Sequence, residues 1–575
     1  MASSAFSIFH PAILHHFPHR STQFRMIRSC KQNPQPVSLR KRLLKQQNQE
    51  NKAIPKPKNG VQTQRNSEQP ASASSSSAIV KKTSWYSFLG RTAAAVFDIR
   101  NAVKADELGL QIASIALPAL LALAADPIAS LVDTAFVGHV GSVELAAVGV
   151  SISVFNLVSK LFNIPLLNIT TSFVAEEHAL MGSDPEEVCE DDGVASGPVS
   201  LLQENVGPRR CKKFLPAVSA SLALAAAAGI AEAIALSCGS EVFLNFMGIP
   251  VDSPMHLPAN HFLKIRALGA PPVVIAMAAQ GAFRGFMDTK SPLYAIVAGN
   301  LLNMVLDPIL MFIFGLGIGG AAIATVFSEY LIALFLLWEL NSKVILVPTK
   351  IETERFARYQ KSGSLLIGRT VAILSTMTLG TAMAARQGPV PMAGHQICLE
   401  VWFTISLLTD SLALAGQALL ARVFAQGDYE KARQVIYRVL QIALATGIVL
   451  AIALFVGFGT FSSLFTTDSC VLEIAYSVVV FVAGSQPINA IAFVFDGLYY
   501  GVSDFAYAAY SMVWVGLISS LFLLVAAPAF GLTGIWGGLV LFMFLRGVAG
   551  FWRMGTEAGP WQMIWSEMER EMVDK

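Results

Sequence analysis

The chain is short of charge. Only 14% of its 575 residues are Asp, Glu, Lys or Arg, against 54% that are hydrophobic, whereas a soluble globular chain carries roughly 25% charged residues. A deficit that large excludes a water-soluble body, so most of the chain has to face lipid or other helices. The net charge of +2 excludes the dense basic surface that nucleic acid demands. Cysteine is scarce as well. Cys30, Cys189, Cys211, Cys238, Cys398 and Cys470 never fall at zinc-ligand or redox spacing, so neither a disulfide framework nor a metal site is expected. His139, His178, His256, His261 and His395 are scattered. No nucleophile–base group or ligand cluster emerges, which argues against an integral membrane enzyme.

A second absence is local. Met1 to Gln49 contains no Asp or Glu, yet holds Arg20, Arg25, Arg28, Lys31, Arg40, Lys41, Arg42 and Lys45, and serines cluster further on at Ser72 and Ser74 to Ser77. Acid-poor, basic and Ser-rich is the composition of an organelle transit peptide. A secretory signal would need an apolar core of about 7–15 residues; Ile13 to Phe17 is too short and contains His15 and His16. Arg is sparse in the first twenty residues, which favours a plastid over a mitochondrion. A disordered cytosolic tail is the alternative. Residues 1–80 are assigned to this segment and 81–107 to an amphipathic lead-in lying on the membrane.

What the chain does have is long apolar runs. A membrane span needs roughly 20 apolar residues. Spans are predicted near Leu108–Val137, Val143–Phe173, Leu215–Cys238, Leu263–Phe286, Pro292–Phe314 and Gly319–Leu340, then near Ser364–Ala385, Met392–Phe424, Val435–Phe458, Val471–Tyr499, Tyr507–Ala529 and Ile535–Phe551. The basic loops (Arg209 to Lys213, Lys343 to Lys361, Lys431 and Arg433) alternate with loops bare of Lys and Arg, such as Gly239 to Asn260. By the positive-inside rule both termini lie on the cytosol-equivalent side. The fourth and tenth runs resemble one another: Gly269, Pro272, Gly281, Gly285 and Asp288 align with Gly484, Pro487, Gly497, Gly501 and Asp504, with one extra residue after the second proline. Six spans per half make this a parallel repeat about an axis along the membrane normal, an architecture that places substrate near the midplane between the halves. The expected fold is therefore an all-α membrane protein of about twelve helices in two six-helix lobes, residues 108–340 and 363–553. A linker at 341–362 joins them, and a tail follows at 554–575.

Charges inside spans mark function, because they are costly there and face the interior or a water-filled cavity. Asp126 and Asp133 stand two turns apart in the first span, which Pro118 and Pro127 are expected to interrupt. Asn303 and Asp307 share a face of the fifth. A carboxylate beside an amide donor in a low-dielectric pocket can be tuned to gain and lose a proton. The bland alternatives are that Asp133 caps the helix end near Gly138 and that Asp307 precedes a proline turn. The second half offers Arg369, Glu400, Asp410 and Asp496; the two aspartates either pair with Arg369 or close the halves together. Arg369 lies about a turn and a half inside its predicted span, within snorkelling reach of the surface. Lys160, midway along the second span, is beyond that reach. It either pairs with Asp133 or Asp307 or attracts an anionic substrate, with help from Arg369. Phe155, Trp402, Phe403, Phe493 and Phe495 could line an aromatic wall or simply pack.

Ala125-Asp126-Pro127, Leu131 to His139, Glu144 to Gly149, Thr170 to Glu177, Arg266 to Pro271, Gly281 to Thr289, Asn303 with Leu306-Asp307-Pro308, Ala415 to Ala418, and Phe495-Asp496-Gly497 form a further set of motifs. Through them the sequence, from Glu107 to Phe551, resembles the multidrug and toxic compound extrusion (MATE) family. Within the family it is similar to the plant DETOXIFICATION branch of the chloroplast envelope and its citrate-exporting relatives. The resemblance implies a secondary antiporter without cofactors, in which Asp133 and the pair of Asp307 and Asn303 couple transport to a proton gradient; Asp126 either joins them or is a helix-bending acid. Substrate-binding residues would be Lys160, Arg369, Glu400, Asp410 and Asp496. Some members hold a Glu in the seventh span as a cation site; this chain has Arg369 there and no acid, so protons rather than sodium are the expected drive. The implied setting is a multi-pass monomer in the plastid envelope, with membrane lipid and a small organic anion as its partners and no nucleic acid. Efflux of organic cations and xenobiotics, or a lipid flippase of related architecture, are the competing functions.

Overall fold

The computed structural model describes residue 96, residues 106–181, the pairs 187–188 and 212–213, and residues 215–247, 249, 251–346, 353–463, 469–556 and 558–565. The transit segment, most of the lead-in and most of the acidic loop after the second span lie outside the described residues. The first half comprises α1 (Glu107–Gly138), α2 (Ser142–Met181), α3 (Pro216–Phe246), α4 (His256–Ala267), α5 (Ala270–Gly285), α6 (Lys290–Pro308) and α7 (Ile318–Lys343). The second comprises α8 (Thr353–Ala385), α9 (Pro389–Ala425), α10 (Tyr429–Ser463), α11 (Ser469–Ser477), α12 (Val479–Gly484), α13 (Gln486–Gly501), α14 (Phe505–Phe530) and α15 (Leu532–Gly555). A two-residue antiparallel pair, Glu187–Val188 with Lys212–Lys213, lies between α2 and α3. The protein is an all-α membrane protein. Among the described residues ten helices are long and apolar enough to cross a membrane, and α4 with α5 makes an eleventh crossing bent by 46°. The short pieces α11, α12 and α13 stand in the repeat where the twelfth belongs.

The fourth and tenth spans are broken, where continuous helices were predicted. Each restarts at a proline in the first turn, Pro271 in α5 and Pro487 in α13, where its fixed φ and missing N–H are tolerated. Packing fixes the alignment of the repeat. A Cβ on Gly229 of α3 would lie 2.6 Å from Pro271 Cα, and one on Gly447 of α10 would lie 2.6 Å from Pro487 Cα. Pro271, not Pro272, is therefore the partner of Pro487, and the extra residue falls before the second proline, between it and Gly484, instead of after it. The turns that follow match as well. Met287 and Ser503 both have positive φ. Asp288 then pairs with Lys343 at the end of α7, and Asp504 pairs with Arg553 at the end of α15, each at 2.7 Å.

The face where α1 begins and α15 ends is the terminus side. The largest apolar core lies there and spans both lobes, with Ile169 and Phe173 of α2 beside Leu420 of α9 and Tyr500 of α13. Toward the opposite face the cores separate. Phe155 and Leu236 pack within the first lobe, whereas Trp402, Phe458 and Trp536 pack within the second, with Leu120 and Leu123 of α1 leaning on them. Cys238 and Cys470 are exposed and Cys398 is buried.

Candidate functional site

In the first lobe α1 lies against α6. Asp126 and Asp133 are seven residues apart on α1, and Asn300, Asn303 and Asp307 follow helical spacing on α6, so two single-faced rows meet. Asn300 Nδ2 donates to Asp126 Oδ1 at 3.1 Å, and Asn303 Nδ2 donates to Asp133 Oδ1 at 2.9 Å. Asp307 is fully buried with its carboxyl against that of Asp133, and no other donor reaches either of its oxygens. Two carboxyls and an amide thus meet inside the bundle. Asp133 does not cap the end of α1. Nor do the prolines interrupt that helix: α1 runs on through Pro118 and Pro127. After Asp307-Pro308 the backbone loosens into a π turn, Ile309–Ile313.

Two further acids of this lobe, Glu232 and Glu329, escaped the sequence reading. Ser159 of α2 donates its hydroxyl to Glu232 of α3. Arg266, at the break between α4 and α5, bonds Glu329 of α7 at 2.5 Å and lies 4.2 Å over the Phe155 ring. Phe155 is thereby a platform for a guanidinium. An acid in an apolar run was the available signal for Glu232 and Glu329.

Lys160 sits in the middle of α2 with 6% of its surface exposed, and its Nζ has no hydrogen-bond partner. The pairing with Asp133 or Asp307 entertained from the sequence does not form; Asp133 is engaged by Asn303 instead. Seating an ammonium away from water without a partner is costly, and such a group is ready for an anion.

In the second lobe Arg369 does not snorkel. Its helix begins at Thr353 rather than Ser364, so the residue lies more than four turns inside and is 1% exposed. It pairs with Asp496 of α13 at 2.5 Å. Arg546 of α15, absent from the sequence reading, binds the same Asp496 oxygen. The Arg369 guanidinium lies 5.5 Å from the Tyr500 ring centre, and that of Arg546 lies 5.0 Å from Phe493 and 5.5 Å from Phe542. Glu400 stands apart, accepting from Gln396 of its own helix at 2.8 Å. Asp410 is buried on α9 within electrostatic reach of Arg284 of α5, across the lobe boundary. Trp402 packs on Phe403 and edge-on to Trp536, and Phe495 packs edge-on to Phe551.

The lobes meet on the terminus side. Gln417 of α9 donates to the Asn168 carbonyl at 2.9 Å and to Ser172 Oγ at 3.0 Å. Tyr359 of α8 donates to the Ala217 carbonyl at 3.0 Å. Arg358 binds Glu176 at 2.9 Å and covers the Phe173 ring. Arg438 reaches Asp106, the N-cap of α1, at 2.7 Å. These contacts form a seal at one face of the membrane body, with the buried charges behind it.

A family model described as MatE matches residues 193–309 and 367–528. The chain is 64% identical over 464 residues to Protein DETOXIFICATION 44, chloroplastic, of Arabidopsis thaliana, covering 81% of this chain and 85% of that one. It is 48% identical over 460 residues to Protein DETOXIFICATION 45, chloroplastic, of the same plant, covering 80% of each. A solved multidrug resistance MATE family transporter of the MOP superfamily, in its outward-facing conformation, shares the fold with a TM-score of 0.68 at 17% identity, covering 82% of this chain and 99% of that one.

Proposed function

The chain belongs to the MATE family of membrane transporters, and from that premise we propose that it is a proton-driven antiporter exporting a small organic anion, a carboxylate or an aromatic acid, across a plastid envelope membrane. That it is a multi-pass transporter rather than an enzyme follows from the family. The anion, the proton and the envelope are our reading. The observation that carries it is Lys160, a central ammonium without a protein partner. A substrate carboxylate is the counter-ion that such a group lacks, and its arrival would couple loading to the change of state.

The proton site is Asp133, Asn303 and Asp307, with Asp126 and Asn300 a turn or two along the same helices. Protonation removes a negative charge where α1 meets α6, and deprotonation restores it. The first lobe thus has a charge-dependent preference between two packings of those helices. Arg369 occupies the seventh span where an acid would serve sodium, which supports protons as the drive. The terminus-side seal supports a state open toward the opposite face. The chloroplastic names of relatives at 64% and 48% identity support the plastid.

The test is uptake into proteoliposomes holding the purified full-length chain as their sole protein, with an imposed pH gradient and a panel of carboxylates, aromatic acids and aromatic cations. Gradient-dependent movement of the acids, unaffected by replacing potassium with sodium, is expected. Movement of the cations alone would move the assignment to organic-cation efflux.

A further inference from the structure

The Asp496 cluster is unbalanced. Two guanidiniums, from α8 and α15, converge on a single oxygen of one carboxylate from α13. All three side chains are at least nine-tenths buried. Beyond that oxygen several donors go unused. Arg369 Nε and Arg546 Nε have no acceptor, and Arg369 Nη2 makes the ion pair without hydrogen-bond geometry. Arg546 Nη1 reaches only the Met543 sulfur, a weak acceptor. The Tyr499 and Tyr500 hydroxyls beside them are likewise buried without partners. Paired planar forks with spare donors are the arrangement that recognises carboxylates, and buried polar groups normally find partners.

We infer that Arg369 and Arg546 form a second anion subsite, in the second lobe, where Asp496 holds the place of a carboxylate of the transported anion. This deepens the anion-exporter reading and rests on it. An incoming carboxylate takes over the donors that Asp496 leaves unused and competes with it for the rest. Occupancy is felt at the seal through a run of rings. Arg369 covers Tyr500, Tyr500 stacks on Phe505 at 6.0 Å, and Phe505 meets Phe173 of the first lobe edge-on at 5.7 Å. Phe173 in turn lies under Arg358, the residue that binds Glu176.

The experiment is thermal unfolding of the purified full-length protein in detergent, titrated with sodium acetate or with sodium chloride. Asp496→Asn removes the internal carboxylate and should unfold at lower temperature. Acetate should restore it, with a half-effective concentration at least tenfold below that of chloride. An equal response to both salts, or a variant that stays unfolded at high acetate, would overturn the subsite. Arg546→Gln keeps Asp496 paired with Arg369, is expected to fold, and should lose the selective acetate response of the wild type by tenfold or more. An undiminished response there would also overturn it. Both readouts are of binding, not transport. A failed subsite therefore leaves the exporter reading standing, whereas a selective acetate response without anion uptake would count against that reading alone.

Discussion

Lys160 and Asp307 are both buried, and they pose opposite problems: the Lys160 Nζ has no hydrogen-bond partner, whereas the Asp307 carboxyl lies against a second carboxyl, Asp133, and needs a proton between them. Lys160→Met should weaken an organic anion far more than an organic cation, and Lys160→Arg should weaken it less than Met does. A charge-assisted hydrogen bond is worth roughly 1.5–3 kcal/mol, so the affinity loss measured by anion competition in vesicles should be about ten- to a hundredfold. Equal loss for both substrate classes would make Lys160 a structural residue. Asp133→Asn and Asp307→Asn change little volume and remove a titratable site each. Either should abolish uptake driven by a pH gradient while the protein still purifies as a monodisperse species; unchanged uptake in both would remove the proton from the mechanism. At this scale spacing placed Asn303 and Asp307 on one face of α6, but the Asn303 amide goes to Asp133 of α1 rather than to Asp307. The sequence was unreadable where partners come from distant spans. Nothing local links Ser159 to Glu232 or Arg546 to Asp496. Arg369 was misjudged because its helix continues three turns before the apolar run begins.

The helices carry a second layer of information in their close approaches. A Cβ on Gly497 would lie 2.2 Å from the Ala413 carbonyl oxygen, whereas one on Gly484 would meet nothing within 4 Å. Overpacking of this kind costs about 1–3 kcal/mol, so Gly497→Ala should lower the midpoint of thermal unfolding by several degrees and Gly484→Ala should not. A similar midpoint for the two variants would mean that α9 and α13 are not locked together there. The turn after α5 adds a pH dependence. Burial pushes the Asp288 carboxyl up, but hydrogen bonds from Lys343 and Ser291 outweigh it and hold the group below its ordinary value. A carboxyl depressed on folding stabilises the fold above its unfolded value, about 4, and that contribution fades as pH falls through the folded value. Asp288→Asn should thus reduce thermal stability at neutral pH, with the difference from wild type shrinking on acidification below about pH 4; a difference constant with pH would refute the assignment. Hydropathy located the spans because it measures composition. It could not see that the fourth and tenth are broken, since proline at a helix start and proline inside a helix read alike in a window average, and α1 runs through two prolines while α5 and α13 begin at theirs.

In the molecule as a whole, the two lobes are joined at one face, on the terminus side. The seal was not legible in the sequence, because the partners of Gln417, Tyr359 and Arg358 lie 249, 142 and 182 positions away. The parallel repeat was legible, because the same turn chemistry recurs at Asp288 and Asp504. Location belongs to this scale too. A reporter fused to residues 1–82 should enter plastids, and diffuse cytosolic or secretory fluorescence would reject the transit reading. The repeat has one more consequence. With six crossings per lobe, the end of α3 and the start of α11 emerge on the same face, opposite the termini, and that is where the exposed Cys238 and Cys470 belong while Cys398 is shielded. The chain therefore carries its own orientation marker. An impermeant maleimide applied to sealed, right-side-sorted vesicles should modify these two thiols from one compartment only, and Cys238→Ser with Cys470→Ser should erase that labelling, reporting which compartment the unsealed face addresses.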